Sequence, residues 1–186
     1  MQLSIPAFEV EKNLIEACVR KENWALKVLY ETYYSAMMQV CSCYADNHEE
    51  ALDILHNGFI KIFRSIHQYE PGTSLNAWMR RVMINTAIDF YRSSMRRKTE
   101  DLDFAYQLAS PDADIISSMN AEDILSCVQQ LPVSYRSVFN LNVVEGYSHK
   151  EISALLGITE STSRAHLVKA RNKLKVLIYQ KNKLDE

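Results

Sequence analysis

The sequence predicts an all-α protein made of two small helical domains joined by a flexible linker. The chain has 186 residues, of which only four are glycine and four are proline, so few positions suit the tight turns of a β-rich fold. Apolar residues recur mostly three and four positions apart, which places them on one face of a helix. Residues 98–119 lack this periodicity and are acidic, which indicates a flexible linker between two periodic blocks.

The first domain is predicted to span residues 10–97 and to begin with three helices. The first two are expected over residues 14–19 and 24–40. In the second, four side chains follow i, i+3, i+4, i+7 spacing: Leu26, Leu29, Tyr30 and Tyr33. The third begins near Glu49 and carries five apolar residues on one side: Leu52, Leu55, Phe59, Ile62 and Phe63. Successive amphipathic helices predict a helical bundle.

A fourth helix in this domain has two contrasting sides. Pro71-Gly72 predicts a turn, Thr73 or Ser74 can cap the helix that follows, and the helix should end near residues 96–98. One side is a core stripe: Met79, Met83, Thr86 and Phe90. The neighbouring side is aromatic and polar: Trp78, Arg81, Asn85, Asp89 and Arg92. Such side chains suit contact with unstacked bases and phosphates. A tryptophan is more often buried than stacked, however, so the residue types alone leave both alternatives open.

The second domain is predicted to span residues 120–181 and to begin with two helices. The first is expected over residues 122–130. The second has Pro132 at its first turn and ends at Gly146, the usual placement of these two residue types.

A helix-turn-helix is predicted in the rest of this domain. Ser148 and Glu151 form the S-x-x-E pattern of a capping box, and Gly157 supplies a left-handed helix stop. The last helix turns four residues inward: Leu167, Ala170, Leu174 and Ile178. Its outer side is polar and basic: Thr162, Arg164, Ala165, His166, Lys169, Arg171 and Lys173. The cations suit phosphates and the N-terminal residues suit base edges, although an amphipathic hairpin without a DNA role would show the same apolar spacing.

The charge of the chain is segregated along the sequence. Residues 59–98 hold eight basic and two acidic residues, and residues 159–183 hold seven basic and one acidic. Residues 99–125 hold seven acidic residues and no basic one. A non-specific polyelectrolyte binder would be basic throughout, so this pattern predicts two discrete anionic contacts and at least one partner that is not nucleic acid.

Several classes of protein are excluded by what the sequence lacks. There is neither an apolar leader nor a run of about 18 apolar residues, and four irregularly spaced cysteines indicate a reducing cytoplasm. Cys41 and Cys43 would lie about 200° apart on a helix, and His48 and His56 lack the spacing of zinc modules. Neither a catalytic triad nor a glycine-rich phosphate loop nor a carboxylate pair stands out. We therefore expect no metal, no cofactor, no small-molecule substrate and no enzymatic activity.

Three segments of the first domain resemble region 2 of bacterial extracytoplasmic-function sigma factors: Asp53-Ile-Leu-His-Asn-Gly-Phe59, Tyr69-Glu-Pro-Gly-Thr-Ser-Leu-Asn-Ala-Trp78 and Asn85-Thr-Ala-Ile-Asp-Phe-Tyr91. Three segments of the second domain resemble region 4 of the same family: Leu131-Pro-Val-Ser-Tyr-Arg136, Gly146-Tyr-Ser-His-Lys-Glu-Ile152, and Gly157-Ile-Thr-Glu-Ser-Thr-Ser-Arg164 leading to Ala170-Arg171. Both blocks occur in the family's order, with a short linker in place of region 3.

The resemblance implies a non-catalytic specificity subunit of RNA polymerase that recognises the −35 and −10 promoter elements and promotes strand opening. It implies three partners: core RNA polymerase, bound through the clamp of its largest subunit and the flap of its second-largest subunit; promoter DNA; and an anti-sigma factor, often membrane-anchored. It also implies a cytoplasmic protein that an anti-sigma factor can sequester at the inner membrane.

By the same resemblance, three sets of residues contact these partners. The clamp-binding set is Asp53, His56, Asn57, Phe59, Ile60 and Phe63. The −10 set is Gln68, Tyr69, Thr73, Ser74, Trp78, Arg81, Asn85 and Arg92. The −35 set is Arg136, Ser148, Lys150, Thr162, Ser163, Arg164, Ala165, His166, Val168, Lys169 and Arg171.

The chain departs from the family pattern at a few of these positions. His56-Asn57 stands where Gln-Glu or Gln-Asp is common, Ser161 and Ser163 replace frequent Gly and Val residues, and His166 stands where Arg or Gln is common. The strength of the clamp contact and the −35 sequence that is read are therefore expected to differ from those of typical members.

Two rival functions remain as alternatives. A transcriptional regulator with a sensing or dimerising N-terminal domain would bind duplex DNA tightly without polymerase, but such a domain has no need of the exposed mixture predicted over residues 69–92. An enzyme acting on phosphodiesters or nucleotides would need a carboxylate or metal cluster, which the sequence does not offer.

Overall fold

The computed structural model describes residues 7–97 and 121–182, and the predicted linker lies outside these two segments. The described residues fall into two compact units, divided between Asp89 and Phe90. Both are built from helices, which confirms the predicted all-α class. None of the helices in the described segments combines the length and hydropathy needed to cross a bilayer.

The first unit contains three of the four predicted helices and most of the fourth. These are α1 (Ala7–Val19), α2 (Asn23–Ser42), α3 (His48–Ser65) and α4 (Leu75–Arg97), with a 3-10 turn, Ile66–Gln68, after α3. The helix α1 begins seven residues earlier than predicted, and the boundary between the units falls within α4. The predicted apolar stripes supply much of the buried core, including Leu29, Leu55, Phe59, Ile62, Met79 and Met83. The predicted amphipathic helices are therefore confirmed for this unit.

The cap of α4 settles an alternative that the sequence left open. The Oγ atom of Ser74 accepts a hydrogen bond from the backbone N–H of Ala77 at 3.2 Å. The hydroxyl of Thr73 instead donates to the carbonyl of Glu70 at 2.8 Å. Ser74 is thus the helix cap, and Thr73 stabilises the turn before it.

The second unit contains α5 (Ala121–Gln129), α6 (Val133–Phe139), α7 (His149–Leu156) and α8 (Glu160–Asn182). Its core joins α5 to α8 through Cys127, Val128, Leu131, Ala170 and Leu174. The helix α6 loosens into a π-helical turn, Asn140–Val144, before Gly146 adopts a positive φ of 77°. The predicted end at Gly146 is confirmed, whereas the π-helical turn was not predicted from the sequence.

The helix-turn-helix has the local geometry that its sequence predicts. Ser148 and Glu151 form both bonds of the capping box, and these bonds to Ser148 lower the pKa of Glu151 below its usual value. Gly157 ends α7 with a left-handed φ of 70°, a conformation that costs glycine little because it has no Cβ. The turn between α7 and α8 is therefore specified locally.

Candidate nucleic-acid interfaces

The loop that precedes α4, residues 68–74, is a fixed turn with an exposed rim. The backbone N–H of Thr73 donates to the carbonyl of Glu70 at 3.2 Å, and Gly72 between them has a φ of 96°. Proline followed by a glycine with positive φ is typical of a type II turn. Six members of the loop are exposed to solvent: Gln68, Glu70, Pro71, Gly72, Thr73 and Ser74. We call this segment the 68–74 loop.

Tyr69 anchors the 68–74 loop from inside. Its side chain is only 5% exposed, and its hydroxyl lies 2.8 Å from Oε1 of Glu11 and 2.7 Å from the carbonyl oxygen of Thr73. Burial, and then the hydrogen bond to Glu11, raise the pKa of Tyr69. The ring of Trp78 lies 5.9 Å from the Tyr69 ring, centroid to centroid. The loop is thus pinned to both α1 and α4.

The face of α4 next to its core stripe is open to solvent. Arg81, Asn85 and Asp89 are exposed, and Trp78 and Arg92 are half-buried. Asp89 pairs with Lys61 of α3 at 2.8 Å, whereas the core stripe beside it, Met79, Met83 and Thr86, is buried. Trp78 is therefore neither fully buried nor fully exposed, since its indole is partly packed against Tyr69 and partly accessible.

An exposed stripe also runs along α3. Asp53, His56, Asn57 and Ile60 are exposed at i, i+3, i+4, i+7 spacing, which places them on one side of the helix. Ile60 is 46% exposed, an apolar side chain among polar neighbours. Phe63 continues the stripe and is half-buried. We call Asp53, His56, Asn57, Ile60 and Phe63 the α3 stripe.

The outer side of α8 carries the predicted polar and basic residues. All seven are half-buried or exposed: Thr162, Arg164, Ala165, His166, Lys169, Arg171 and Lys173. Val168 is 57% exposed, and Ser148 and Lys150 at the start of α7 are exposed too. The inward residues Leu167, Ala170 and Leu174 are buried. The structure thus brings most of the predicted −35 set together on α8 and the start of α7.

Four predicted contact residues are buried in this structure, contrary to the surface position that a direct contact would need. The side chains of Phe59, Tyr69, Arg136 and Ser163 are at most 5% exposed, so they cannot present their polar or apolar surface to a partner in this conformation. Phe59 packs against Tyr30, with ring centroids 4.6 Å apart. Arg136 is buried because its Nη1 donates to the carbonyls of Gln129 and Leu131, at 2.5 and 3.2 Å. These side chains support the surfaces from beneath.

Several supporting residues were not found from the sequence. The ring of Tyr135 lies 5.1 Å from the His166 ring, and the Nζ of Lys169 lies 5.7 Å from the Tyr135 ring centroid, a cation–π distance. His149 Nδ1 lies 2.9 Å from Ser163 Oγ and links the two helices of the helix-turn-helix. Each involves residues from different helices, so no local pattern reveals it.

One supporting pair did have a sequence signal. Arg164 donates to the Glu160 carboxylate at 2.6 Å, and the two residues stand at i and i+4 on α8, the spacing of helical ion pairs. Both side chains are well exposed, 58% and 42%, so the pair orients the guanidinium without burying it. Arg164 thus starts from a defined position on the outer side of α8.

The cysteines of the described segments carry free thiols. Cys41 is buried, and burial raises its pKa to about 12, so the thiol is protonated at neutral pH and a poor nucleophile. Within residues 7–97 and 121–182, no group of three or more His, Cys, Asp or Glu side chains is placed to hold a metal ion.

Comparison with known families places both units. The family described as Sigma-70 region 2 matches residues 29–97, and the family described as Sigma-70, region 4 matches residues 121–174. Together these matches cover more than half of the 186 residues. The first match includes the α3 stripe, the 68–74 loop and α4, and the second includes the helix-turn-helix.

Two sigma factors are similar to the chain in sequence. The chain is 30% identical over 134 residues to the ECF RNA polymerase sigma factor SigE of Mycolicibacterium smegmatis, covering 69% of this chain and 52% of that protein. It is 23% identical over 175 residues to the RNA polymerase sigma-H factor of Pseudomonas aeruginosa, covering 88% of this chain and 91% of that protein. Among solved structures, the sigma factor RpoE from Bartonella quintana, in complex with the anti-sigma factor NepR, is 22% identical and covers 82% of this chain and 96% of that chain, with a TM-score of 0.47. The chain spans about half the length of the first of these relatives. On the two family matches and the two sequence relatives, the chain belongs to the extracytoplasmic-function group of RNA polymerase sigma factors.

Proposed function

We propose that this chain binds core RNA polymerase, recognises the −35 and −10 elements of promoters and promotes strand opening, without itself catalysing a reaction. The observation that carries the proposal is the pairing of two surfaces in a sigma-family chain: a basic helix-turn-helix and a separate exposed face on α4. The first suits duplex phosphates and base edges, and the second suits unstacked bases. The proposed functional domains are residues 10–97 and 120–181, with residues 98–119 as the linker.

The α4 face and the 68–74 loop are proposed to hold the −10 element as the duplex opens. Extruding a base costs a few kcal/mol of lost stacking, which contacts to the extruded base must offset. Thr73 and Ser74 offer hydroxyls, Asn85 offers an amide, and Trp78 offers part of an indole plane. A protein that binds the opened strand better than the duplex shifts the equilibrium toward opening without hydrolysing anything.

The α3 stripe is proposed to dock on the clamp of the polymerase's largest subunit. A side of one helix with an exposed isoleucine among polar side chains is suited to contact with another protein. The outer side of α8, with the start of α7, is proposed to bind the −35 duplex. The flap of the second-largest subunit and an anti-sigma factor are proposed as further partners because of the family, and the protein is proposed to work in the cytoplasm, free or sequestered at the inner membrane.

The proposal is tested by mixing the purified chain with core RNA polymerase and promoter fragments from its own genome, and mapping transcript starts. We expect starts that depend on the chain and lie at a fixed distance from shared upstream motifs. A regulator of the rival kind would instead bind duplex DNA tightly without polymerase. No chain-dependent start at any promoter, with regulators absent, would count against the proposal.

Replacing Asn85 with alanine is expected to impair strand opening more than duplex binding. Asn85 is exposed on the α4 face, where its amide can bond to an unpaired base but has no partner in a closed duplex. The measurement is the permanganate reactivity of −10 thymines beside the affinity for −35 duplex. Asn76→Ala is the matched control, since Asn76 is exposed on the opposite side of α4. Equal permanganate reactivity in the Asn85 variant and the parent would refute the role.

Replacing Lys169 with alanine is expected to weaken binding to −35 DNA and to lower the slope of log K against log salt by roughly 0.9, the value for one phosphate contact. Lys169 is exposed on the outer side of α8. The affinity is measured at several salt concentrations by fluorescence anisotropy. Lys175→Ala serves as control because Lys175 is exposed on a different side of the same helix. A slope that stays at the parent value would remove Lys169 from the phosphate contacts.

A further inference from the structure

The helix α1 reaches the 68–74 loop through a single carboxylate. Oε1 of Glu11 lies 2.8 Å from the hydroxyl oxygen of Tyr69, across 58 residues of sequence. Glu11 is half-buried and Tyr69 is almost fully buried, so this hydrogen bond is partly shielded from solvent. The region 2 match begins at residue 29, so α1 lies outside the matched residues.

The Tyr69 hydroxyl connects Glu11 to the backbone of the loop. The same oxygen lies 2.7 Å from the carbonyl oxygen of Thr73, so its one proton is shared between a carboxylate and a main-chain acceptor. This fixes the distance between Tyr69 and Thr73, which face each other across the Pro71-Gly72 turn. The Tyr69 ring meanwhile packs beside Trp78. Two residues proposed to contact the −10 strand, Thr73 and Trp78, are therefore placed by the one ring that Glu11 holds.

Glu11 affects the pKa values of two neighbouring tyrosines. Burial raises the pKa of Tyr69, with the Glu11 hydrogen bond as the next cause, so the hydroxyl stays protonated and able to donate at neutral pH. Burial and then the Glu11 charge also raise the pKa of Tyr33 on α2. Glu11 thus sits among α1, α2 and the loop, where a movement of its carboxylate would be passed to Tyr69.

We propose that Glu11 is a positioning residue for the −10 contact: its carboxylate holds Tyr69, and through Tyr69 it holds the 68–74 loop in the conformation that accepts an extruded base. The proposal rests on the proposed promoter-opening function and deepens it. It assigns α1 a part in −10 recognition, although α1 offers no surface to the DNA in this role. Glu11 acts only through Tyr69.

The test compares four variants in complex with core polymerase: Glu11→Ala, Glu11→Gln, Tyr69→Phe and the double variant Glu11→Ala/Tyr69→Phe. The readout is the equilibrium fraction of opened promoter, from 2-aminopurine fluorescence in the −10 non-template strand, with −35 duplex affinity measured in parallel. Glu11→Ala and Tyr69→Phe are each expected to lower the equilibrium constant for promoter opening by roughly tenfold. This is the scale of one hydrogen bond to a charged group. Affinity for −35 duplex should stay unchanged.

Two further comparisons separate positioning from a general structural role. Glutamine retains the oxygen acceptor, so Glu11→Gln should recover most of the opening lost in Glu11→Ala. Because Glu11 acts through the hydroxyl that Tyr69→Phe removes, the double variant should open no worse than Tyr69→Phe alone. Glu16→Ala is the matched control on α1, since Glu16 is exposed, and it should behave as the parent.

The outcomes are distinguishable from failure of the proposed function. If the parent chain opens no promoter with polymerase, the proposed function fails. If the parent opens promoters and Glu11→Ala opens them equally well, only the positioning role fails. Effects of Glu11→Ala and Tyr69→Phe that multiply in the double variant would also overturn it, as would a Glu11→Gln variant as weak as Glu11→Ala. Tyr69→Phe keeps the buried ring, so the comparison with Glu11→Gln remains usable if Glu11→Ala folds poorly.

Discussion

Replacing Arg136 with alanine is expected to destabilise the second unit by about 3–5 kcal/mol. The side chain is only 1% exposed, and its Nη1 donates to the carbonyls of Gln129 and Leu131, at the C-terminal end of α5. The variant loses these charge-assisted bonds, leaves the carbonyls of Gln129 and Leu131 without this donor, and opens a cavity next to the core. Loss of most of the second unit's stability is the consequence.

Hydrogen exchange measured on the whole chain is the suitable readout for Arg136. Both tryptophans of the chain, Trp24 and Trp78, lie in the first unit, so their fluorescence does not follow the second. The amides of α6 and α8 should exchange orders of magnitude faster in Arg136→Ala than in the parent, while those of α2 and α3 stay protected. Arg164→Ala is the control, since Arg164 is on the surface. Unchanged protection of α6 and α8 would show that the buried guanidinium contributes little.

Replacing Gly58 with alanine is expected to destabilise the first unit by about 1–3 kcal/mol, although alanine is the better helix former by about 1 kcal/mol. A Cβ built on Gly58 would lie 2.1 Å from Sδ of Met83, and Met83 is fully buried in the core. Helices α3 and α4 therefore meet at a position where only glycine fits without movement. The change would also disturb the α3 stripe, which surrounds Gly58 in sequence.

Tryptophan fluorescence during urea unfolding reports this change, because Trp24 and Trp78 both lie in the first unit. The midpoint should fall for Gly58→Ala and stay within the scatter of surface changes for Asn57→Ala, an exposed neighbour. Trimming Met83 to alanine in the Gly58→Ala background should cost less than trimming it in the parent. If the losses in stability of Gly58→Ala and Met83→Ala simply add in the double variant, the close approach of Gly58 and Met83 does not contribute to the loss in Gly58→Ala.

The helices and their caps followed from local sequence because their causes are local. The periodic stripes of α2, α3 and α4, the Ser148–Glu151 capping box and the Gly157 stop depend on residues within a few positions of one another. Most surface members of the candidate sites were also predictable, because a polar residue on a side of a helix away from its core stripe is exposed. Arg81, Asn85 and Lys169 are examples.

The buried polar residues were not predictable in the same way. A charged Arg136 is expected on a surface, and its burial depends on carbonyls that α5 leaves at its C-terminus. Ser163 stands at an inward position of α8 where a valine is common in the family, and its hydroxyl is accommodated because His149 of α7 accepts or donates a hydrogen bond there. The hydrogen-bonded pair Glu11 and Tyr69 is 58 residues apart in the sequence. Such partners are chosen by packing between helices, which no local pattern records.

The most direct test of the central claim is permanganate footprinting of a promoter from the protein's own genome with core RNA polymerase, with and without this chain. We expect thymines of the −10 non-template strand to become reactive only when polymerase and the chain are both present, and Asn85→Ala to reduce this reactivity while −35 binding persists. Reactivity that is the same without the chain, or a chain that binds promoter duplex tightly yet leaves every −10 thymine protected in the presence of polymerase, would contradict it.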